Sequence, residues 1–185
     1  MRPYLRSGLV QLAIALLLAS TAALYALSLL DALLGTALAA SLLWLAKSDL
    51  DSFELPDLGN LAVAALGATW IATLADPAAG LLQAAFRAIA AAGCLWAVKW
   101  SYAKSRGLEG LGWGDVKLAA AGAIWLHWSQ LPIALLIASA GAIVLVAGYG
   151  GLSGPKIRAF APIPFGAFLA PSIWIVWFAG RLGLL

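Results

Sequence analysis

The sequence predicts an all-α fold, a polytopic membrane bundle of about seven transmembrane helices with its N-terminus in the cytosol. Two observations support this prediction. Of the 185 residues, 64% are hydrophobic and only 10% are charged, whereas soluble domains average about 25% charged residues. Long stretches without any charge also recur along the chain, and a helix needs about 20 apolar residues to cross the hydrocarbon core of a bilayer. The composition therefore excludes an ordinary soluble enzyme and a disordered tail.

The first four helices follow from the charge-free stretches in the N-terminal half. Residues 7–46 carry one charge, at Asp31, and are long enough for two spans that turn there. Residues 58–75 form the third span, and residues 77–103 form the fourth, interrupted by Arg87 and, near its end, by Lys99. Arg87 is expected either to extend towards the outer membrane surface or to pair with Asp76. The predicted bounds of these helices are 8–28, 31–48, 58–75 and 79–103.

Three more helices follow in the C-terminal half. The charge-free run 118–155 is too long for one span and breaks at the polar, Pro-containing segment 127–132. The charge-free residues 159–180 supply the last span. The predicted bounds are 113–128, 131–151 and 161–181. Residues 1–185 are thus expected to form a single integral-membrane domain.

The positive charges give the orientation. Nine of the eleven Lys and Arg residues fall on one side of the alternating path, and the excess of positive charge marks the cytosolic side. The net charge is only +3, which is too low for a nucleic-acid-binding surface. The single cysteine, Cys94, excludes an internal disulfide and a Cys-rich zinc site.

Six of the eight acidic residues fall at the cytosolic ends of the predicted helices, where a carboxylate beside lipid is costly unless it has a role. They are Asp49, Asp51, Glu54, Asp57, Glu109 and Asp115. Asp49 ends the second helix and Asp115 begins the fifth, so each adjoins an apolar span and can face the bundle interior. Spacing alone leaves a catalytic pair and plain capping charges equally open for these two. Asp57 is placed to cap the third helix.

Three segments carry recognisable motifs at this membrane edge. The first is the pattern D-x-D-x-x-x-L-P-D, which begins at Asp49 and ends at Pro56 and Asp57. The second is the Gly-rich box of residues 112–118, with sequence G-W-G-D-V-K-L. It contains Gly112, Gly114, Asp115 and Lys117. The third precedes the last helix and contains Pro164, Phe165 and Gly166.

These three motifs, in this order, resemble the type IV prepilin peptidase (leader peptidase) family of GxGD-type intramembrane aspartyl proteases. The resemblance covers about residues 10–180, and it implies that Asp49 and Asp115 are the catalytic aspartates. It also implies supporting roles for the other residues of the three motifs. Larger family members carry a cytoplasmic zinc-binding region and methylate the new N-terminus. Because Cys94 stands alone and no such region is present, the chain is similar to a peptidase-only form, with no metal, S-adenosylmethionine or other cofactor expected.

The resemblance also implies the substrate and the location. The expected substrate is a prepilin-like protein with a short basic leader and a hydrophobic helix, cleaved at the cytosolic face of the bacterial inner membrane. Asp51 and Glu54 are expected either to attract this basic leader or to be plain solvated charges. An alternative function is a small proton- or cation-coupled transporter, although its ionisable groups are expected near the membrane midplane. A catalytically silent membrane scaffold is the third possibility.

Overall fold

The computed structural model describes residues 28–107, 110–152 and 164–185, and these residues form helices joined by short turns. The predicted all-α class is therefore confirmed. The predicted first helix, apart from Ser28, and Glu109 lie outside the described residues. The helices are α1 (Leu29–Ser52), α2 (Asp57–Ile71), α3 (Pro77–Arg106), α4 (Trp113–Ala123), α5 (Gln130–Leu152) and α6 (Gly166–Arg181).

Two predicted helix bounds are wrong, whereas the other bounds of the second to seventh predicted helices agree with the structure within four residues. The fifth predicted helix, 113–128, ends at Ala123 because the chain turns there although it remains apolar. The seventh predicted helix, 161–181, has its first helical residue at Gly166. Pro164 lies just before this start, where a residue without a backbone N–H costs the helix no hydrogen bond.

Three of the described helices are long and apolar enough to cross a membrane. They are α1, α3 and the segment Gln130–Ala147 of α5. Helix α4 has eleven residues, a length of about 16 Å, and is too short to cross by itself. A membrane-embedded helical bundle is therefore the architecture that these lengths and compositions favour.

Helix α4 lies among α2, α3 and α6, and α1 packs against α2 and α6. The core is apolar, and Leu38, Leu118 and Val176 are fully buried in it. Large apolar side chains also cover the outside of the bundle, as expected for a surface that faces lipid rather than water. Because α4 is surrounded in this way, the residues at its N-terminus can meet groups from several helices.

Helix α3 holds α4 at both ends through two buried cations. Near one end, Lys99 Nζ donates a hydrogen bond of 2.7 Å to the carbonyl oxygen of Leu111. Near the other end, Arg87 Nε donates to the Ala123 carbonyl at 3.2 Å and Nη2 donates to the Ile124 carbonyl at 3.4 Å. Both expectations for Arg87 are wrong, because its guanidinium satisfies the last carbonyls of α4, which have no partner within the helix.

Candidate functional site

Two buried carboxylates from different helices meet at the end of the bundle where α1 ends and α4 begins. Asp49 is 5% exposed and Asp115 is 6% exposed. A Cβ atom built on Gly166 would lie 3.1 Å from Asp49 Oδ2 and 3.1 Å from Asp115 Oδ1. These two oxygens are therefore at most about 6 Å apart, within the range where one carboxylate raises the cost of ionising the other.

Backbone N–H groups hold both carboxylates in place. Asp49 Oδ2 accepts a hydrogen bond of 2.8 Å from the N–H of Ala167, in the first turn of α6. Asp115 Oδ2 accepts one of 3.1 Å from the N–H of Gly112, at the start of α4. The Gly166 N–H interacts with both carboxylates. Helix N-termini favour negative charge, so the starts of α4 and α6 stabilise acids at this site.

Burial and mutual repulsion make ionisation of both carboxyl groups costly. The N–H groups of Gly112 and Gly166 and the ammonium of Lys99 stabilise negative charge on Asp115. Asp115 Oδ1 is buried and has no hydrogen-bond partner among the residues that the structure describes. The site therefore combines a proton-holding carboxyl group with a second carboxyl group close by.

Three glycines make room for this arrangement. A Cβ on Gly114 would lie 2.7 Å from Leu55 Cβ, and a Cβ on Gly166 would lie 2.7 Å from Leu55 Cδ1. A Cβ on Gly112 would lie 3.2 Å from Asp115 Oδ2. Leu55, in the loop between α1 and α2, thus packs against the starts of α4 and α6, and only glycine allows this close approach.

Pro56, Asp57 and Lys117 lie at the edge of the site. Pro56 is the N-cap of α2 and makes no side-chain capping bond. Asp57 is the first residue of α2, so the prediction that it caps the helix is wrong. Asp57 Oδ1 instead forms a 2.6 Å ion pair with Lys117 Nζ, and the two side chains are 76% and 51% exposed. An ion pair this exposed contributes little to stability and leaves both groups accessible.

A cavity of about 310 Å³ opens at the carboxylates. Its lining residues are Asp49, Phe53, Glu54, Leu55, Pro56, Asp57, Gly112, Trp113, Gly114, Asp115 and Lys117. Asp51 is exposed next to it in the chain and does not line it. Pro164 and Phe165 are half-buried, and Phe165 packs against the core just before α6. In the part of the chain that the structure describes, no group of three or more His, Cys, Asp or Glu side chains could hold a metal ion.

Sequence reasoning missed three residues that shape the site. Phe53 has a left-handed backbone with φ of 57°, and its N–H donates a 2.9 Å bond to the Asp49 carbonyl. Ser48 Oγ donates a 2.8 Å bond to the Glu54 carbonyl, which fixes the same loop. Lys99 approaches from α3. In the sequence, Lys99 served only to orient the chain in the membrane. No sequence pattern indicates the contacts of Phe53, Ser48 or Lys99.

Comparisons with known proteins agree with the motifs. The family model described as "Type IV leader peptidase family" matches residues 36–147. A Prepilin leader peptidase/N-methyltransferase of Burkholderia pseudomallei (strain K96243) is 40% identical over 167 residues, which are 89% of this chain and 52% of the relative. A protein of the same name from Aeromonas hydrophila is 36% identical over 148 residues, 76% of this chain and 49% of the relative. The chain thus spans about half the length of these curated relatives. No solved structure matches it.

Proposed function

The chain belongs to the type IV leader peptidase family, and we propose that it is an intramembrane aspartyl endopeptidase. Its proposed reaction is removal of the leader from type IV prepilin-like precursors at the cytosolic face of the bacterial inner membrane. The observation that carries the proposal is the meeting of Asp49 and Asp115, which are 66 residues apart in the sequence and at most about 6 Å apart between carboxylate oxygens. The comparisons give no support to the transporter alternative.

The paired carboxyl groups supply the chemistry that peptide hydrolysis needs. Water is a weak nucleophile at neutral pH, and a peptide carbonyl is a weak electrophile. An ionised carboxylate takes a proton from the attacking water, and a protonated carboxyl group donates its proton to the carbonyl oxygen. Two acids at close range share one proton because both cannot ionise cheaply. The proton is assigned to the pair of Asp49 and Asp115 and not to either residue, since coupled groups titrate together.

The substrate class follows from the family and from the setting of the cavity. The cavity lies at one end of the bundle, where a leader can stay in the cytosol while the following hydrophobic helix stays in the membrane. Glu54 lines the cavity and Asp51 is exposed beside it, and we propose that both attract a basic leader. A protease acts on extended peptide, so the substrate has to be unwound at the scissile bond.

The remaining features of the proposal concern topology and support. We propose seven membrane helices in a single multi-pass domain with a cytosolic N-terminus, from the distribution of Lys and Arg. The three motif glycines are proposed to bring the carboxylates together, with Pro164 and Phe165 leading into α6. Pro56 is the N-cap of α2, and the ion pair of Asp57 with Lys117 borders the cavity.

Co-expression with candidate prepilins tests this function. The full chain and a prepilin with a basic leader are produced together, and mass spectrometry detects the shortened product. Asp49→Asn and Asp115→Asn are each expected to abolish cleavage at normal membrane levels. Asp76→Asn is the matched control, because Asp76 caps α3 through the N–H of Ala79 at 3.1 Å and Asn caps a helix equally well. Cleavage that survives both single substitutions in the pair contradicts the aspartyl mechanism.

A further inference from the structure

A buried lysine lies beside the aspartate pair without belonging to any of the three motifs. Lys99 is 7% exposed and comes from α3, which supplies no other residue to the site described above. Its Nζ atom lies 2.7 Å from the Leu111 carbonyl oxygen and 5.4 Å from the ring centroid of Trp113. A buried ammonium needs such partners because desolvation of an unpaired charge is costly. Leu111 lies just before the start of α4, and Trp113 is its first residue.

One peptide unit connects Lys99 to Asp115. Lys99 donates a hydrogen bond to the carbonyl oxygen of the Leu111–Gly112 peptide. The N–H of the same peptide donates a 3.1 Å hydrogen bond to Asp115 Oδ2. A cation on the carbonyl side polarises the peptide and strengthens the hydrogen bond that its N–H donates. It also fixes the plane of a peptide whose rotation would turn the N–H away from the carboxylate. The ammonium therefore acts on Asp115 through both charge and orientation.

We propose that Lys99 is a positioning residue for the aspartate pair: through the Leu111–Gly112 peptide it holds Asp115 Oδ2, which leaves Oδ1 directed at the gap between the carboxylates. Asp115 Oδ1 would touch the same Cβ position on Gly166 as Asp49 Oδ2. This inference rests on the proposed peptidase function. Lys99 thereby determines which Asp115 oxygen faces the partner carboxylate and the scissile bond.

The charges around Asp115 define what removal of Lys99 changes. From α1 the facing group is Asp49, and from α3 it is Lys99. Lys117, on α4 itself, is engaged by Asp57 of α2 at the exposed edge. Among the described residues, α6 contributes the Gly166 N–H and no ionisable side chain at the pair. Loss of the Lys99 charge and of the oriented N–H both disfavour ionisation of the pair, so both move its titration to higher pH.

Lys99→Met and Lys99→Arg in the full chain test the proposal. Met keeps the length and removes the charge, whereas Arg keeps a charged donor. We expect Lys99→Met to lower kcat for prepilin cleavage at least about tenfold with little change in KM. Both limbs of its pH–rate profile should move upward by about 0.5 to 1 pH unit. Lys99→Arg should restore most of the profile. Lys104→Met is the control, because Lys104 lies on the same helix at its exposed end.

A second measurement does not require cleavage. Leu111–Gly112 is one of five Leu–Gly peptides in the chain, so [1-¹³C]Leu and [¹⁵N]Gly labelling reduces the spectrum of detergent-solubilised protein to five amide signals, and Gly112→Ala identifies the Leu111–Gly112 signal by its loss. In the wild type this signal should titrate with Asp115, and in Lys99→Met it should move upfield and titrate at higher pH. An unshifted profile and an unchanged amide titration in Lys99→Met would overturn the positioning role even if activity falls. A wild type that cleaves no prepilin but shows the amide effect would refute the function and keep the positioning role.

Discussion

Gly166→Ala is the most direct test of how the site is built. The added methyl group would enter the gap between Asp49 and Asp115, 3.1 Å from one oxygen of each, and would also lie 2.7 Å from Leu55 Cδ1. Such contacts are shorter than an ordinary van der Waals separation of about 3.5 to 4 Å between carbon atoms. The carboxylates and Leu55 must therefore move apart.

The expected loss of stability is modest, and the expected loss of rate is large. Overpacking costs about 1–3 kcal/mol, and the better helix propensity of Ala offsets up to about 1 kcal/mol of it. The net cost is then about 0–3 kcal/mol, so a chain of 185 residues should lose at most roughly 12 °C in Tm. A displacement of reacting groups by about 1 Å reduces a rate about 100-fold, which corresponds to about 2.7 kcal/mol in the barrier.

The assay compares prepilin cleavage and Tm for purified variants under the same detergent conditions. Gly93→Ala is the matched control, because a Cβ on Gly93, within α3, would meet nothing within 4 Å. It should keep the wild-type rate. Gly166→Ala combined with Leu55→Ala removes the contact with Leu55 and leaves the contacts with the carboxylates. A rate within about threefold of wild type in Gly166→Ala would refute the arrangement of the two acids around Gly166. Full recovery in the double variant would assign the loss to Leu55 instead.

Two further predictions follow from the same structure. Asp31→Leu leaves Arg181, its 2.6 Å partner, without its counter-ion and should cost about 1–3 kcal/mol of stability, measured as a fall in Tm, with less loss when Arg181→Leu is added. Charge reversal of Asp51 and Glu54 should raise KM for basic leaders but not for neutral ones, and equal KM changes for both would reject leader attraction.

The two acidic residues of the site could be predicted from the sequence because charged residues are rare in the apolar segments of a membrane protein. Asp49 and Asp115 each adjoin an apolar stretch and stand in motifs, so their positions at helix ends could be predicted. Their closeness could not be derived from spacing, since it depends on how α1, α4 and α6 pack. The place of Gly166 between the two carboxylates is likewise a tertiary property, although its motif drew attention to it.

The sequence could not predict where α4 ends or which groups bind the buried cations Arg87 and Lys99. The apolar pattern continues past Ala123, so hydropathy alone extends the helix to residue 128. The helix ends where Arg87 takes its last carbonyls, a contact between residues that are 36 positions apart. The sequence alone similarly suggests that Lys99 is a cytosolic surface charge, whereas the structure shows its ammonium bound to the Leu111 carbonyl. In both cases a long-range contact overrides a local pattern.

The hydrogen bonds of Lys99 and Arg87 also fix the relative lengths of α3 and α4. Arg87 and Lys99 are 12 positions apart, and so are Leu111 and Ala123, the residues whose carbonyls they bind. Because the segments 87–99 and 111–123 have the same number of residues, the gain or loss of a residue in one segment alone would break a hydrogen bond at one end. An insertion in α3 has to be matched by one in α4. The depth of Asp115 in the bundle is thus set by the longer helix α3.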